Sequence, residues 1–509
     1  MFQLMTDNLS FDVRALDRAR ISRDPRFDGK FFIAVKTTGI YCRPICPSRT
    51  SKSSNVCYYA TAAAAAEAGF RPCLRCRPEA APGTPAWLGT SAVVRRALRL
   101  IDEGFLDTAS IDDLAGKLGL GSRHLRRLFL QHVGASPISF AQTRRLQFAK
   151  RLLDETNLPV TEIALAAGFG SLRRFNTAFR QNYGRAPREL RKTLRSHSSL
   201  DAGGEVILKL AFRPPYDWNQ VRDFLAAHAI LGVERVDENS YSRTVRSEKG
   251  FSIVSVRPLL RENSLELRVQ EAEPTALFQI SSTARRVFDA SADPARIAFA
   301  FRSDSLLGPL VARRPGLRIA GAWDPFECTV CAVLTQSLGV ESARELAARI
   351  VDRAGRRIDE RLPGLTHVFP TPMEFVKTDL NGLRLPDTCV AELRSLALAL
   401  VHGKLDFGAP TNNVLLSLSK LSGFRNWIAE YVALRALGEP DAFPAADPEL
   451  RHIAGFSNRS LSPSELEARA EAWRPWRGYA AMHLWGAAAD PVKWTLSNET
   501  EQVTRRKRA

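Results

Sequence analysis

The chain has 509 residues, 45% hydrophobic, with a formal net charge of +18. That length and composition are enough for several domains with buried cores. No apolar run reaches the roughly 18 residues of a membrane-spanning helix, and the basic excess points to nucleic acid or another polyanion as partner.

The charge is uneven. Residues 1–86 carry 13 Lys and Arg against 7 Asp and Glu, and residues 87–196 carry 19 against 9. The remainder has 40 against 38, so the basic character belongs to the first two segments. The final TRRKRA is basic and expected to be disordered, with at most a weak electrostatic role.

The first stretch, MFQLMTDNLSFDVRALDRAR, is charged and lacks the apolar core of a secretory signal. A reducing, cytoplasmic setting is expected, which argues against disulfides. Five of the eight cysteines then fall between Cys42 and Cys76. Cys42 with Cys46 and Cys73 with Cys76 make a close Cys-x-x-x-Cys and Cys-x-x-Cys, a pattern that presents four thiolates to one tetrahedral ion. Soft thiolates select zinc or iron–sulfur, and on spacing alone the site reads as a structural zinc knuckle. Cys57, outside both pairs, reads as a packed thiol.

The motifs TTGIYCRPIC and GFRPCLRC resemble the methylphosphotriester-acceptor domain of Ada-type DNA repair regulators. The resemblance implies one zinc ion held by Cys42, Cys46, Cys73 and Cys76, with Cys42 also the nucleophile that accepts a methyl group from DNA. Thr38, Arg49 and Arg71 match positions beside the DNA backbone, the alternative for each being a solvated surface. Four thiolates against one dication leave a charge of −2, which repels phosphate; methylating Cys42 leaves −1, so DNA binding should tighten after the reaction.

PEAAPGTPAWLGT, residues 78–90, and SHSSLDAGGE, residues 196–205, read as linkers. Between them the apolar pattern has helical period. A short helix that Thr108, Ser110 or Asp112 could cap leads through Gly119–Gly121 into SRHLRRLFLQHV. This layout is helix–turn–helix, with a basic second helix. It recurs as LPVTEIALAAGFGSLRRFNTAFRQNYG, after the long helical run PISFAQTRRLQFAKRLLDE. HLRRLFLQHVGASP and IALAAGFGSLRRFNTAFRQNYGRAPRELR resemble the AraC-type DNA-binding domain. The resemblance implies all-α double helix–turn–helix structure, with Ser122–Leu130 and Ser171–Asn182 in successive major grooves. Candidate base readers are Arg123, His124, Arg126, Arg127, Arg173, Arg174 and Asn176, and any one of them is more often a phosphate contact. An activator of this type also implies RNA polymerase as partner and a nucleoid-associated location.

From residue 204 an alternating, strand-like pattern runs to two strands around Asn263, and helical periodicity dominates from about residue 280. A small antiparallel sheet followed by a helical body is α+β. LLSLSKLSGFRNWIAEYVALRALGEPDAFPAADPELRH has the layout of a helix–hairpin–helix base-excision glycosylase. RPPYDWNQVRDFLAAHA, ARRPGLRIAGAWDPFE, VFPTPMEF and RAEAWRPWRGYAAMHLW resemble 3-methyladenine DNA glycosylase II.

That resemblance places the catalytic carboxylate at Asp447, whose alternative role is a helix cap before Pro448; Asp441 is the weaker candidate. Trp427, Tyr431 and Trp485 would form an electron-rich pocket for a flipped cationic base, each being core packing otherwise. The DNA wedge would fall at Ser337, with Leu338 next to it. The hairpin reads Gly423-Phe424-Arg425 where the family has a second glycine, so Arg425 could replace a backbone contact to phosphate with its own charge. No Lys stands at Trp427, so no Schiff-base strand cleavage is expected. Cys328 and Cys331 lie in an apolar helical run and read as core. No Pro-Cys-His-Arg motif of an alkylguanine methyltransferase occurs.

The expected whole is multidomain and α+β: a zinc acceptor domain at 1–80, the double helix–turn–helix at 88–196, and a glycosylase domain at 204–495. It would take methyl groups on Cys42, bind double-stranded DNA as an activator, and excise alkylated bases with Asp447. The competing reading is a DNA-binding regulator whose C-terminal domain binds lesions without catalysis.

Overall fold

The computed structural model describes residues 12–82, 92–194 and 205–488, apart from 248–249, 360, 381, 384, 425 and 456–458. The 196–205 linker, except Glu205, and the TRRKRA tail lie outside the described residues.

Near the N-terminus a four-stranded sheet has the order β3-β1-β2-β4, with β1 Phe32–Val35, β2 Ile40–Cys42, β3 Val56–Tyr59 and β4 Arg71–Pro72. Its period-2 pattern divides the apolar residues. Phe32 and Ala34 pack with Tyr41 and Tyr59 on one face, and Ile33 packs with Leu16 and Tyr58 on the other. β2 pairs with β1 antiparallel and with β4 in parallel. This brings Cys42, at the end of β2, beside the turn carrying Cys73 and Cys76.

The 78–90 segment departs from a free linker at its start. Pro78–Ala80 forms a 3-10 turn with Pro78 and Glu79 buried. The Glu79 carboxylate lies 3.6 Å from Lys150, and its neighbour Arg77 pairs with Asp154 at 2.8 Å. A buried carboxylate needs such cations nearby, so the chain here is fixed against the next region.

That region is all helix. Ser110 caps Ile111–Lys117 in a capping box with Asp113. Gly119, at φ +71°, turns the chain into Ser122–His132. Leu125 and Phe129 bury on the inner face and leave the arginines outside. Pro137–Glu155, 19 residues long, leads to the second motif, Val160–Ala166 and Leu172–Tyr183. Gly168, at φ +77°, turns that motif where any Cβ would lie 2.7 Å from the Asp107 carboxylate. Asp107 is already paired with Arg145 of the long helix at 2.7 Å, so the turn of the second motif packs against a fixed carboxylate.

The C-terminal part opens with an antiparallel sheet of order β5-β9-β8-β7-β6, β5 being Val206–Ala211, β6 Glu234–Val236, β7 Tyr241–Arg246, β8 Phe251–Leu259 and β9 Ser264–Gln270. Asn263, at φ +50°, makes the β8–β9 corner. The helical body follows and has its own core around Phe326, Leu334, Leu393 and Trp473. The sheet's core continues into the second helix–turn–helix, where Phe148, Phe175 and Phe179 belong to one cluster with Leu208, Val254 and Phe288.

Candidate functional site

The four cysteine sulfurs all lie within 4.8 Å of one another. Zinc–sulfur bonds of about 2.3 Å place tetrahedral sulfurs about 3.8 Å apart, so this donor set fits one zinc ion. Exposure divides the ligands. Cys73 and Cys76 are buried, whereas Cys42 and Cys46 are half-buried. Cys57 stands apart, half-buried on the β1–β3 side.

Arg43, which the spacing did not single out, supports this centre. Its backbone N–H donates to Cys76 Sγ at 3.3 Å, and its guanidinium donates to the Cys76 carbonyl at 3.1 Å and to Asp28 at 2.9 Å. A donor to a coordinating sulfur draws charge from it and fixes its direction. The Asp28 carbonyl in turn accepts from Arg213 of the C-terminal part at 2.9 Å, and Lys30 pairs with Asp293 at 2.6 Å in a buried contact.

Thr38 and Arg49 are exposed on loops. Arg71 is exposed on β4, and its Nη1 would lie 2.8 Å from a Cβ on Gly184, at the end of the second recognition helix. Arg123, His124, Arg126 and Arg127 share the outer face of Ser122–His132, and Arg173 and Arg174 open Leu172–Tyr183; all six are exposed, while Asn176 is half-buried.

In the C-terminal body Asp447 caps helix Pro448–Ile453, accepting from the Leu450 N–H at 2.9 Å. The same oxygen accepts from Trp485 Nε1 at 3.3 Å. The cap and the pocket contact therefore coexist. Burial raises the Asp447 pKa above the usual carboxylate range, while these hydrogen bonds hold it back. Asp441 is elsewhere, paired with Arg477 at 3.1 Å and with Arg474.

Trp485, Tyr431 and Trp427 form a row of edge-to-face rings, with centroids 6.2 and 5.8 Å apart. Two residues missed in the sequence extend it. Phe224 lies 6.5 Å from Trp485. The buried Arg435 stacks on Phe224 at 4.7 Å and on Tyr431 at 5.3 Å, and donates to the Tyr431 hydroxyl at 2.6 Å. One face of Tyr431 thus already meets a cation. Arg435 falls one helical turn after Tyr431, a signal that was available; Phe224 comes from a distant helix and left none.

Gly423, exposed at φ +83°, makes the hairpin, and its carbonyl accepts from Gln336 at 3.3 Å. Arg425 lies outside the described residues. At the corner where a wedge was expected, Leu338 is half-buried against the core, and the exposed side chains are Ser337 and Val340. Cys328 is buried and Cys331 half-buried, both packed into the helical core. Among the described residues no helix is long and apolar enough to cross a membrane.

Three family models match the chain in the order of these structures: the metal binding domain of Ada at residues 15–79, a helix-turn-helix domain at 114–193, and the AlkA N-terminal domain at 207–324. They define a zinc-binding, DNA-binding repair regulator joined to a glycosylase-type body. The chain is 39% identical over 479 residues to the "Probable bifunctional transcriptional activator/DNA repair enzyme AlkA" of Mycobacterium tuberculosis, covering 93% of this chain and 96% of that one. It belongs to that family of bifunctional activators and repair enzymes. Its C-terminal part is 30% identical over 281 residues to the DNA-3-methyladenine glycosylase 2 of Escherichia coli, covering 54% of this chain and 95% of the relative. The N-terminal part is 38% identical over 149 residues to the "Bifunctional transcriptional activator/DNA repair enzyme Ada" of the same organism, covering 29% of this chain and 40% of that one.

Proposed function

We propose that three domains, at 1–80, 88–196 and 204–495, sense and repair one class of DNA damage. The observation that carries this is the Asp447–Trp485 hydrogen bond at the end of the aromatic row, in the same chain as a clustered four-sulfur centre.

Bound zinc keeps coordinated thiols deprotonated at neutral pH. The Cys42 sulfur then attacks the methyl carbon of a DNA methylphosphotriester. The S–C bond forms as the C–O bond breaks, and the phosphate leaves as an ordinary diester anion. Cys42 becomes a neutral thioether, so the reaction runs once per protein. Cys46, Cys73 and Cys76 hold the centre, and Arg43 steadies Cys76. Lowered negative charge favours the DNA backbone, with Thr38, Arg49 and Arg71 beside it. The two basic helices then read an operator in the major groove, and the activator contacts RNA polymerase at the nucleoid.

In the third domain an alkylated base such as 3-methyladenine is flipped against Trp427, Tyr431 and Trp485, gaining roughly 0.5–2 kcal/mol per ring by cation–π contact. The Gly423 hairpin with Arg425 holds the backbone, and Leu338 or its corner fills the gap. The Asp447 carboxylate stabilises positive charge on the deoxyribose as the C1′–N bond breaks. The base leaves neutral, water adds at C1′, and its proton passes through Asp447 to solvent.

Mass mapping of zinc-loaded protein after exposure to methylated DNA tests the first step. A methyl group on Cys42 is expected; its appearance on Cys46 instead would remove Cys42 from the role.

A further inference from the structure

A cavity of about 380 Å³ lies where the three regions meet, and the reactions above do not use it. Its walls come from the turn after Cys76, from helices Ala92–Asp102 and Pro137–Glu155, and from helix Leu277–Val287 of the C-terminal body. Eight arginines line it against five carboxylates, an excess of three positive charges. Several of the carboxylates are already engaged: Glu103 accepts from Arg99 at 2.8 Å, Glu439 from Thr411 at 2.8 Å, and Asp289 from Tyr479 at 2.8 Å.

Arg96 is only 5% exposed, and its Nε and Nη1 have no hydrogen-bond partner among the described residues. The same holds for Arg151 Nε. Buried donors of this kind are costly unless something accepts from them. Burial also pushes the Arg96 guanidinium down to about 10 and that of Arg285 to about 9, as expected of cations lacking full compensation. Beside these donors the wall is apolar, with Phe148 and Phe278 edge-to-face at 4.9 Å. Forked donors suit phosphate oxygens, and an adjoining aromatic wall suits a flat ring. The volume falls within the range of small-molecule sites and is too confined for duplex DNA.

We propose that this cavity binds a nucleoside phosphate, with Arg96 and Arg285 on the phosphates and Phe148 and Phe278 beside the base. Such a ligand would tie helix Ala92–Asp102 of the DNA-binding region to helix Leu277–Val287 of the glycosylase-type body, so that small-molecule status reaches both DNA-directed activities.

Calorimetric titration of full-length, zinc-loaded protein tests this, with ATP, adenosine and inorganic pyrophosphate as separate probes. Saturable binding of one ATP per chain is expected, with weaker binding of pyrophosphate and none of adenosine. Arg96→Gln should weaken ATP by at least about 10-fold. A saturating duplex should not displace ATP, because the DNA faces lie elsewhere, but should shift its affinity, because coupling between two sites is reciprocal. In the wild-type protein ATP should also slow amide exchange in Ala92–Asp102, a readout independent of any variant. No saturable ATP binding, displacement of ATP by the duplex, or pyrophosphate binding without ATP binding would each overturn the proposal.

Discussion

Asp447 shows how one side chain serves two ends. Its oxygen closes the first turn of a helix and also faces an indole N–H, so the requirements of the fold place the carboxylate that chemistry would use. Trp485→Phe removes a hydrogen bond that favours the ionised form, so the Asp447 pKa should rise further. If base release needs the carboxylate, activity falls as pH drops through that pKa. The acidic limb of kcat/KM should therefore move to higher pH in the variant, while activity on the alkaline side changes less. A pH–rate profile checks this, and an unmoved limb would show that the Trp485 contact does not tune Asp447. The Asp-Pro-Glu-Leu cap was legible in the sequence, as were the two cysteine pairs. Arg43 and Phe224 were not, because nothing local marks a backbone donor to a sulfur or a ring supplied by a distant helix.

At the scale of elements, period and glycine placement were enough to locate both helix–turn–helix units. The long intervening helix and the Asn263 corner were legible on the same grounds. Ser110 proved to be the cap among three candidates, because Asp113 completes a reciprocal box. Ser110→Ala should cost about 1 kcal/mol, measurable by urea unfolding; a change within error would mean that neighbouring packing holds the helix end. Arg173→Ala tests the assignment of the second helix. A phosphate contact predicts that the slope of log affinity against log salt falls by about 0.9, equally on operator and random DNA. A base reader predicts a selective loss on the operator of about 1–3 kcal/mol. The start of the 78–90 segment was misread, since a run rich in Pro and Ala looks like a linker. Glu79 buries there because Lys150 approaches from the long helix and the nearby Arg77 turns its guanidinium toward it.

Across the whole molecule the three regions are joined by charge as much as by apolar packing. Arg213 reaches the Asp28 carbonyl, Lys30 is buried with Asp293, and the core of the second helix–turn–helix runs into the five-stranded sheet. Such continuity cannot be read from a sequence in which each segment looks self-sufficient. It predicts one cooperative unfolding transition for the second helix–turn–helix and the adjoining sheet; two separated transitions by calorimetry would contradict it. Acid should weaken the C-terminal body through His483, which is buried, and His228, which is half-buried. Burial lowers His228 to about 4 and His483 to about 3, against about 6.5 when unfolded. Their contribution is complete above about pH 6.5 and is lost as pH falls toward 3. His483→Leu should flatten that part of the thermal midpoint–pH curve.

The most direct test of the account is release of free base from a methylated duplex by the wild type and by Asp447→Asn. Asparagine caps helices about as well as aspartate, so the variant should fold with nearly unchanged stability and isolate the chemistry. The account predicts release of 3-methyladenine by the wild type and a loss of at least about 100-fold in the variant. Equal release by the two proteins, or none by the wild type, would contradict it.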